Sequence, residues 1–354
     1  MKAALLDIGA GTLDFLLYES GKPVENCVKM VLPSPQGIHT NKITEITSEN
    51  RDLYIDGYTV GGGGLGKAVK QHINKGLKVN MTPSAAYSIR NNLDEVKMLG
   101  INITDEKPTD YEQIHLDELR LPSIEQILND FNETLTDIDL CGVSVKDHGA
   151  PPTGQSNRVF RMENYSKTLE KDNRLSAFLY KAPKIPEYYL RMNSIVDATR
   201  DTLGQVPVYL LDTSISALAG CQMDPRISNM DPVLLVNIGN GHTVASIVSG
   251  DRIHAFFEHH TSMLTQEKLE YYLKKLCEGN LTNQEVYNDG GHGAVTIKDP
   301  PGFTGIEKIA VTGPKRKLLE DSELDIIEAS PGGDVMMTGT HGLLKTIQMK
   351  KREL

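Results

Sequence analysis

The chain holds 354 residues, 39% hydrophobic and 24% charged, with 47 Asp and Glu against 37 Lys and Arg and a formal net charge of −10. This length can bury two substantial cores or one large two-lobed body, the composition is that of an ordinary soluble globular protein, and no apolar run reaches a membrane span. The acidic balance argues against nucleic acid held by a general electrostatic field, and strand residues begin almost at once without a secretory leader, so a cytoplasmic protein with no nucleic-acid and no membrane partner is expected.

The first element carries the first candidate site. Leu5, Leu6, Asp7, Ile8, Gly9, Ala10, Gly11 and Thr12 run from an apolar strand into a carboxylate and a two-glycine turn, and Phe15 to Tyr18 return as a second strand. This is the pattern of a hairpin with a functional turn. Gly9 and Gly11 let backbone N–H groups approach an anion without a Cβ in the way, and Thr12 adds a hydroxyl. Asp7, at the strand end, suits Mg2+, directly or through its water shell. Taken alone, an ordinary β-hairpin explains the same residues. A third strand follows over Cys27 to Leu32, and a fourth at Leu53 to Ile55 precedes the run Gly61 to Gly64 and a helix from Lys67 to about Asn74. Glycines between strand and helix suit a phosphate, but the Lys and Ser/Thr of a Walker loop are missing, so a flexible turn and a substrate loop both remain open.

Residues 94–139 are acidic, with helical spacing near Ile124 to Phe131, as at the edge of an inserted subdomain. The strand Leu140 to Val145 then opens into Lys146, Asp147, His148 and a Gly/Pro-rich loop, the kind of strand end where α/β sheets bind ligands. Asp147 reads either as a general base or second metal contact, with His148 positioning a substrate hydroxyl, or as a turn cap against which His148 packs. A helix is expected over Met192 to Leu203 and a strand over Pro207 to Leu211. Asp212 or Thr213 can cap the next helix, whose small residues suit a hinge.

Residues 234–243 repeat the first turn. Asn237, Ile238, Gly239 and Gly241 align with Asp7, Ile8, Gly9 and Gly11, and a strand returns over Val244 to Val248. Two equivalent turns imply two similar lobes able to grip a triphosphate from both sides. Leu269 to Leu276 follow helical spacing, Ile309 to Thr312 form a strand that meets Gly313, Lys315 and Arg316, and a last helix spans Met336 to Ile347. Cys27, Cys141, Cys221 and Cys277 show no metal or redox spacing and read as reduced core residues. Adjacent His259 and His260 would point to opposite faces of a strand, so no histidine metal site is expected.

In this order the motifs resemble those of the superfamily of sugar kinases, heat-shock chaperone ATPases and actin. Asp7 to Asp14 resembles its first phosphate motif, Asp212 to Gly220 its first connecting helix, Asn237 to Thr243 its second phosphate motif, Ile309 to Arg316 its adenosine motif and Asp334 to Leu344 its second connecting helix. More closely, the chain is similar to a prokaryotic family labelled as a pyruvate formate-lyase activating protein. That label implies three cysteines in one short loop around an iron–sulfur cluster, a trio this sequence lacks, so only the kinase-like and actin-like fold is retained.

The resemblance implies an α/β protein of two RNase H-like lobes, residues 1–221 with inserted segments and residues 222–354, with the C-terminal helix packing back at the hinge. A central cleft would hold ATP and Mg2+ and close as nucleotide binds. Gly9, Gly11 and Thr12 would cradle phosphates from one lobe and Gly239, Gly241 and Thr243 from the other. Asp7 would order the Mg2+ shell beside Asn237, and Gly313, Lys315 and Arg316 would lie along adenosine. Asp147 and His148 would serve a small-molecule acceptor in phosphoryl transfer. The superfamily begins its second phosphate motif with Asp. Asn237 keeps an oxygen there but not the charge, which favours the alternative of a nucleotide-gated, partner-binding protein with little turnover.

Overall fold

A computed structural model describes residues 1–352. The first sheet starts from the strand Lys2–Ile8, whose alternate side chains serve two faces: Leu5 enters a core toward the second sheet and Leu6 a core on the outer side, both fully buried. Thr12–Glu19 pairs antiparallel with it and Val28–Pro33 with Thr12–Glu19, while Leu140–Val145 and Val208–Asp212 add in parallel on the other side. Tyr180–Lys181 closes that edge.

The second sheet repeats the plan. Val233–Ile238 takes the central place, His242–Ser249 and Arg252–His260 follow antiparallel, and Lys308–Thr312 and Ile326–Glu328 add in parallel. Numbering the five strands of each unit in chain order gives 3-2-1-4-5 in both, with one short strand beyond each pattern, Tyr180–Lys181 in the first sheet and Gly293–Thr296 in the second. The protein is thus an α/β molecule built on two RNase H-like sheets of the actin and sugar-kinase type. A third, four-stranded parallel sheet (Leu53–Gly57, Val79–Met81, Asn102–Ile103, Glu112–Leu116) occupies the segment between Val28–Pro33 and Leu140–Val145 and has its own core with the helices Pro35–Ser48 and Gly63–Asn74. No described helix is long and apolar enough to cross a membrane.

Two helices lie between the large sheets. Asp212 accepts a hydrogen bond from the Ser214 N–H and caps Thr213–Cys221, which crosses Thr338–Arg352 at glycines. A Cβ on Gly220 would run into the Thr338 carbonyl and one on Gly342 into the Ser216 carbonyl, so the two backbones touch. Leu343 and Ile347 of the C-terminal helix pack on Gly142 in the first sheet. After the first of these helices, Asp224 holds Arg226 and the Ser330 N–H, tying the link between the sheets to the segment that leads into the last helix.

Two outcomes follow from this packing. Gly342→Ala should destabilise the protein by about 2 kcal/mol or more in urea unfolding, since neither backbone can retreat, whereas Gly66→Ala, where a Cβ meets nothing, should be neutral or slightly stabilising. Hydrogen bonds from Arg226, with lesser help from the Ser330 N–H, lower the Asp224 carboxyl to about 2. A depressed carboxyl stabilises the fold above its unfolded value, near 4, and loses that contribution as pH falls towards 2. The stability gap between wild type and Asp224→Asn should therefore be full at pH 6 and shrink across that window in pH-dependent melts.

Candidate functional site

The repeated turns are equivalent down to their straps. The Gly9 N–H donates to the Thr12 carbonyl at 2.9 Å, and the Gly239 N–H to the His242 carbonyl at 3.0 Å. At the end of each third strand a hydroxyl residue doubles back. Ser34 donates through Oγ to the Gly9 carbonyl at 3.0 Å and Thr261 through Oγ1 to the Gly239 carbonyl at 2.8 Å. Their backbone N–H groups take the Gly11 and Gly241 carbonyls at 3.2 and 3.0 Å. The turns meet: the Asn240 side chain lies where a Cβ on Gly11 would stand, and Gly241 packs on Ala10. Gly9, Ala10, Asn237, Gly239, Asn240 and Gly241 line one cleft of about 770 Å³, a volume in the range of small-molecule sites.

Lys146, a lining residue of the cleft, belongs to a buried ionic clasp between the sheets. Lys146 from the first sheet pairs with Glu258 from the second. Arg161, on the helix Asn157–Lys171, donates through Nε to Glu258 at 2.8 Å and through Nη1 and Nη2 to Asp212 at 2.7 and 3.0 Å. Glu258 is fully buried and Arg161 nearly so. Burial opposes ionisation of Glu258, but the Arg161 and Lys146 charges override it and hold the carboxyl well below the usual range. A second pair secures the glycine run: Glu118 accepts from Arg191 at 2.6 and 2.8 Å and from the Gly61 N–H at 2.8 Å, so that Gly61 to Gly63 form a tethered wall, with the helix starting at Gly63 rather than Lys67. Arg90 and Arg158 on the rim bond only backbone carbonyls among the described residues, and Arg158 also stacks on Tyr287.

Asp7 lies just behind the first turn and accepts from Thr213, a lining residue, at 2.7 Å, with Gly339 packed so closely on its carboxylate that a Cβ there would overlap it. Opposite it in the hairpin is Asp14, buried, with Oδ1 lacking any partner. Burial pushes Asp7 up to about 7, and burial together with the Asp7 charge pushes Asp14 up to about 8. Two undercompensated carboxylates beside anion-sized turns fit a hard divalent cation such as Mg2+.

Several expected roles change in the structure. Thr243 is fully buried and hydrogen-bonded to Thr261 at 3.0 Å, because the residue that follows His242 in the strand must point away from the cleft, so its hydroxyl cannot cradle a phosphate. Thr12 turns its hydroxyl to Asp14 at 3.3 Å, and neither it nor Gly11 lines the cleft. Gly313 packs on Asn237, but Lys315 is exposed and Arg316 pairs with Glu328 at 2.8 Å, so neither reaches the cavity. Asp147 lines it, yet its two oxygens accept the Gly149 and Met192 N–H groups at 2.9 and 3.1 Å, the bonds of a cap on the loop and on the helix Leu190–Leu203. A free general base is not what these bonds describe.

The histidines depart furthest from expectation. His148, His242 and His292 each bring one ring nitrogen to within 4.8 Å of the others, and His148 Nε2 lies 2.9 Å from His292 Nε2. His260 stands beside them, its ring centroid 4.8 Å from those of His242 and His292, while its neighbour His259 faces the other way to Asp289. Burial, aided by the Arg161 and Lys146 charges, lowers His148 to about 3; burial and Lys146 also lower His292, to about 2, and His242, so all three rings are neutral at physiological pH. Spacing gave no sign of this set, since its members are up to 144 residues apart.

The four cysteines are free, buried and in separate elements, and burial pushes Cys141, Cys221 and Cys277 up to about 12. They do not fit an iron–sulfur cluster, which needs clustered thiolates.

No curated protein matches the chain. Among solved structures it is similar to the activator of the 2-hydroxyisocaproyl-CoA dehydratase from Clostridium difficile with bound ADPNP (10% identity, TM-score 0.37, covering 100% of this chain and 97% of that one). It is also similar to the ROK hexokinase from Thermus thermophilus (12%, 0.35, all of both chains) and to MreB 5 of Spiroplasma citri bound to AMPPNP (9%, 0.37, 99% and 98%). A family model described as "Putative pyruvate format-lyase activating enzyme (DUF1786)" matches residues 60–318. As that model spans more than half of the sequence, the chain belongs to the DUF1786 family.

Proposed function

We propose that this protein binds ATP as its Mg2+ complex between the two hairpin turns and transfers or hydrolyses the terminal phosphate, the acceptor being a small molecule held beside the Lys146 to His148 loop. The observation that carries this reading is the pair of equivalent, strapped turns that meet beside each other and line one cleft. Gly9 and Ala10 on one side and Gly239 and Gly241 on the other contribute backbone that can approach phosphate oxygens closely. Arg90 and Arg158 add positive charge at the rim. Asp7, with Thr213, would hold the metal's water shell, with Asn237 opposite; bound Mg2+ would neutralise charge on the phosphates. Phosphoryl transfer asks mainly for such positioning and neutralisation.

Asp147 serves this site as a positioning residue. Its cap fixes the loop that carries His148 and the start of the helix that carries Arg191. The label's radical chemistry has no support in the thiols. A second reading, nucleotide-gated binding of a partner with little turnover, is favoured by one feature: the carboxamide of Asn237 where the superfamily has a carboxylate.

Calorimetric titration with a non-hydrolysable ATP analogue and Mg2+ should show one site per chain, and Asp7→Asn should weaken it at least tenfold; no heat from the wild type overturns the nucleotide reading. ATP consumption with and without a metabolite panel separates transfer from gating, and Asn237→Asp should raise turnover if the missing charge limits it. Glu258→Gln strips two buried cations of their partner and should cost about 3–5 kcal/mol in chemical unfolding.

A further inference from the structure

We propose that His148, His242 and His292 form a binding site for a transition-metal ion of the Zn2+ class, with an open coordination position facing the cleft. His148 comes from the loop after the first sheet's strand Leu140–Val145, His242 opens the returning strand of the second hairpin, and His292 leads into the edge strand Gly293–Thr296. The ion would therefore be held by both halves of the molecule. His148 Nε2 and His292 Nε2, hydrogen-bonded to each other at 2.9 Å, already stand near the separation, about 2.9–3.4 Å, of two nitrogens each about 2.0–2.1 Å from a shared ion. The third nitrogen lies within 4.8 Å of the others and would have to close on them for a shared ion.

Two further observations point to a ligand. His242 Nε2 and His292 Nδ1 are buried polar atoms without a partner, and His292 is 1% exposed. Buried ring nitrogens are normally satisfied, so a cluster of imidazoles with orphaned atoms is an arrangement that an ion completes. Behind the set, Glu258 Oε1 lies 3.9 Å from His292 Nδ1, beyond hydrogen-bond reach, so that nitrogen stays unpartnered next to a carboxylate. The His292 backbone is held in turn by its N–H bond to the Glu258 carbonyl at 2.9 Å.

The donor set defines the ion. Three imidazoles without a carboxylate in contact suit Zn2+, Co2+, Ni2+ or Cu2+ and not Mg2+ or Ca2+, so this site is chemically distinct from the Asp7 site. Three protein ligands also leave a fourth position, which the cleft supplies with space for water or for an oxygen of the bound acceptor. His260, beside the set, is available to that fourth ligand as a hydrogen-bonding neighbour.

The test uses tag-free, chelator-treated full-length protein titrated with Co2+ and followed by visible absorption, with Zn2+ as competitor. No nucleotide is present, so the result stands apart from the nucleotide reading. The expected result is one Co2+ per chain with the intense d–d bands of a four- or five-coordinate site, displaced by Zn2+. His148→Gln, His242→Gln and His292→Gln should each weaken binding at least tenfold, while exposed His115→Gln leaves it unchanged. Absence of stoichiometric binding in the wild type, or equal affinity in all the variants, overturns the proposal. Because a variant can lose its fold, X-ray absorption of the Zn2+-loaded wild type gives an independent readout: scattering from three imidazoles supports the site, and a shell of sulfur or of oxygen alone overturns it.

Discussion

The clasp of Lys146, Glu258, Arg161 and Asp212 is the constraint on which the rest of the architecture depends. Four charges withdrawn from water carry a desolvation cost that their mutual attraction repays only when every donor and acceptor is used. Here the use is nearly complete: Arg161 spends Nε on Glu258 and both terminal nitrogens on Asp212, and also reaches the Asp147 carbonyl at 3.2 Å and the Tyr165 hydroxyl at 3.1 Å. Since Asp212 belongs to the first sheet and Glu258 to the second, Arg161 fixes the spacing of the two strand ends. A hydrophobic plug would join the sheets as firmly but would not place a charged group, Lys146, in the lining of the cleft.

The duplication supplies the two turns that line the same cleft. Repeating the 3-2-1-4-5 order places each central strand's end at the same depth, and the Ser34 and Thr261 straps hold the two turns in the same shape. The halves differ at positions where chemistry would differ. Asp7 faces Asn237 in the alignment, and His242 in the second turn stands where Thr12 stands in the first. One hairpin holds the carboxylates Asp7 and Asp14, while the other carries the imidazole of His242.

What could be read from the sequence was local. The alternation of Leu5 and Leu6 around a two-glycine turn, its repetition at 234–243, and the strands Leu140–Val145 and Lys308–Thr312 follow from neighbouring residues, and their order gave the two-lobed fold. The helix Asn157–Lys171 was not legible, because its buried side includes Arg161, Asn164 and Tyr165 and so lacks an apolar stripe. Thr243 differs from the expectation because its hydroxyl sits one residue past the turn, where strand parity sends its side chain to the core. The clasp and the histidine set were out of reach in principle: Lys146 and Glu258 are 112 residues apart and His148 and His292 are 144 apart, distances at which only a folded chain reveals a partner.

The same geometry bears on how such a cleft can move. Hinge closure of such a cleft would require the sheets to rotate about a small set of contacts, and the glycine crossing of Thr213–Cys221 with Thr338–Arg352 would be a tight pivot between them. The clasp lies on the cleft side of that pivot, so opening the sheets at the clasp would separate Glu258 from Lys146 or Arg161 and leave a buried charge alone, a cost of several kcal/mol. Rotation that keeps the clasp intact is much cheaper. Such a rotation would act on the part of the cleft where Ala10 and Gly241 meet and where Gly61 to Gly63 line it.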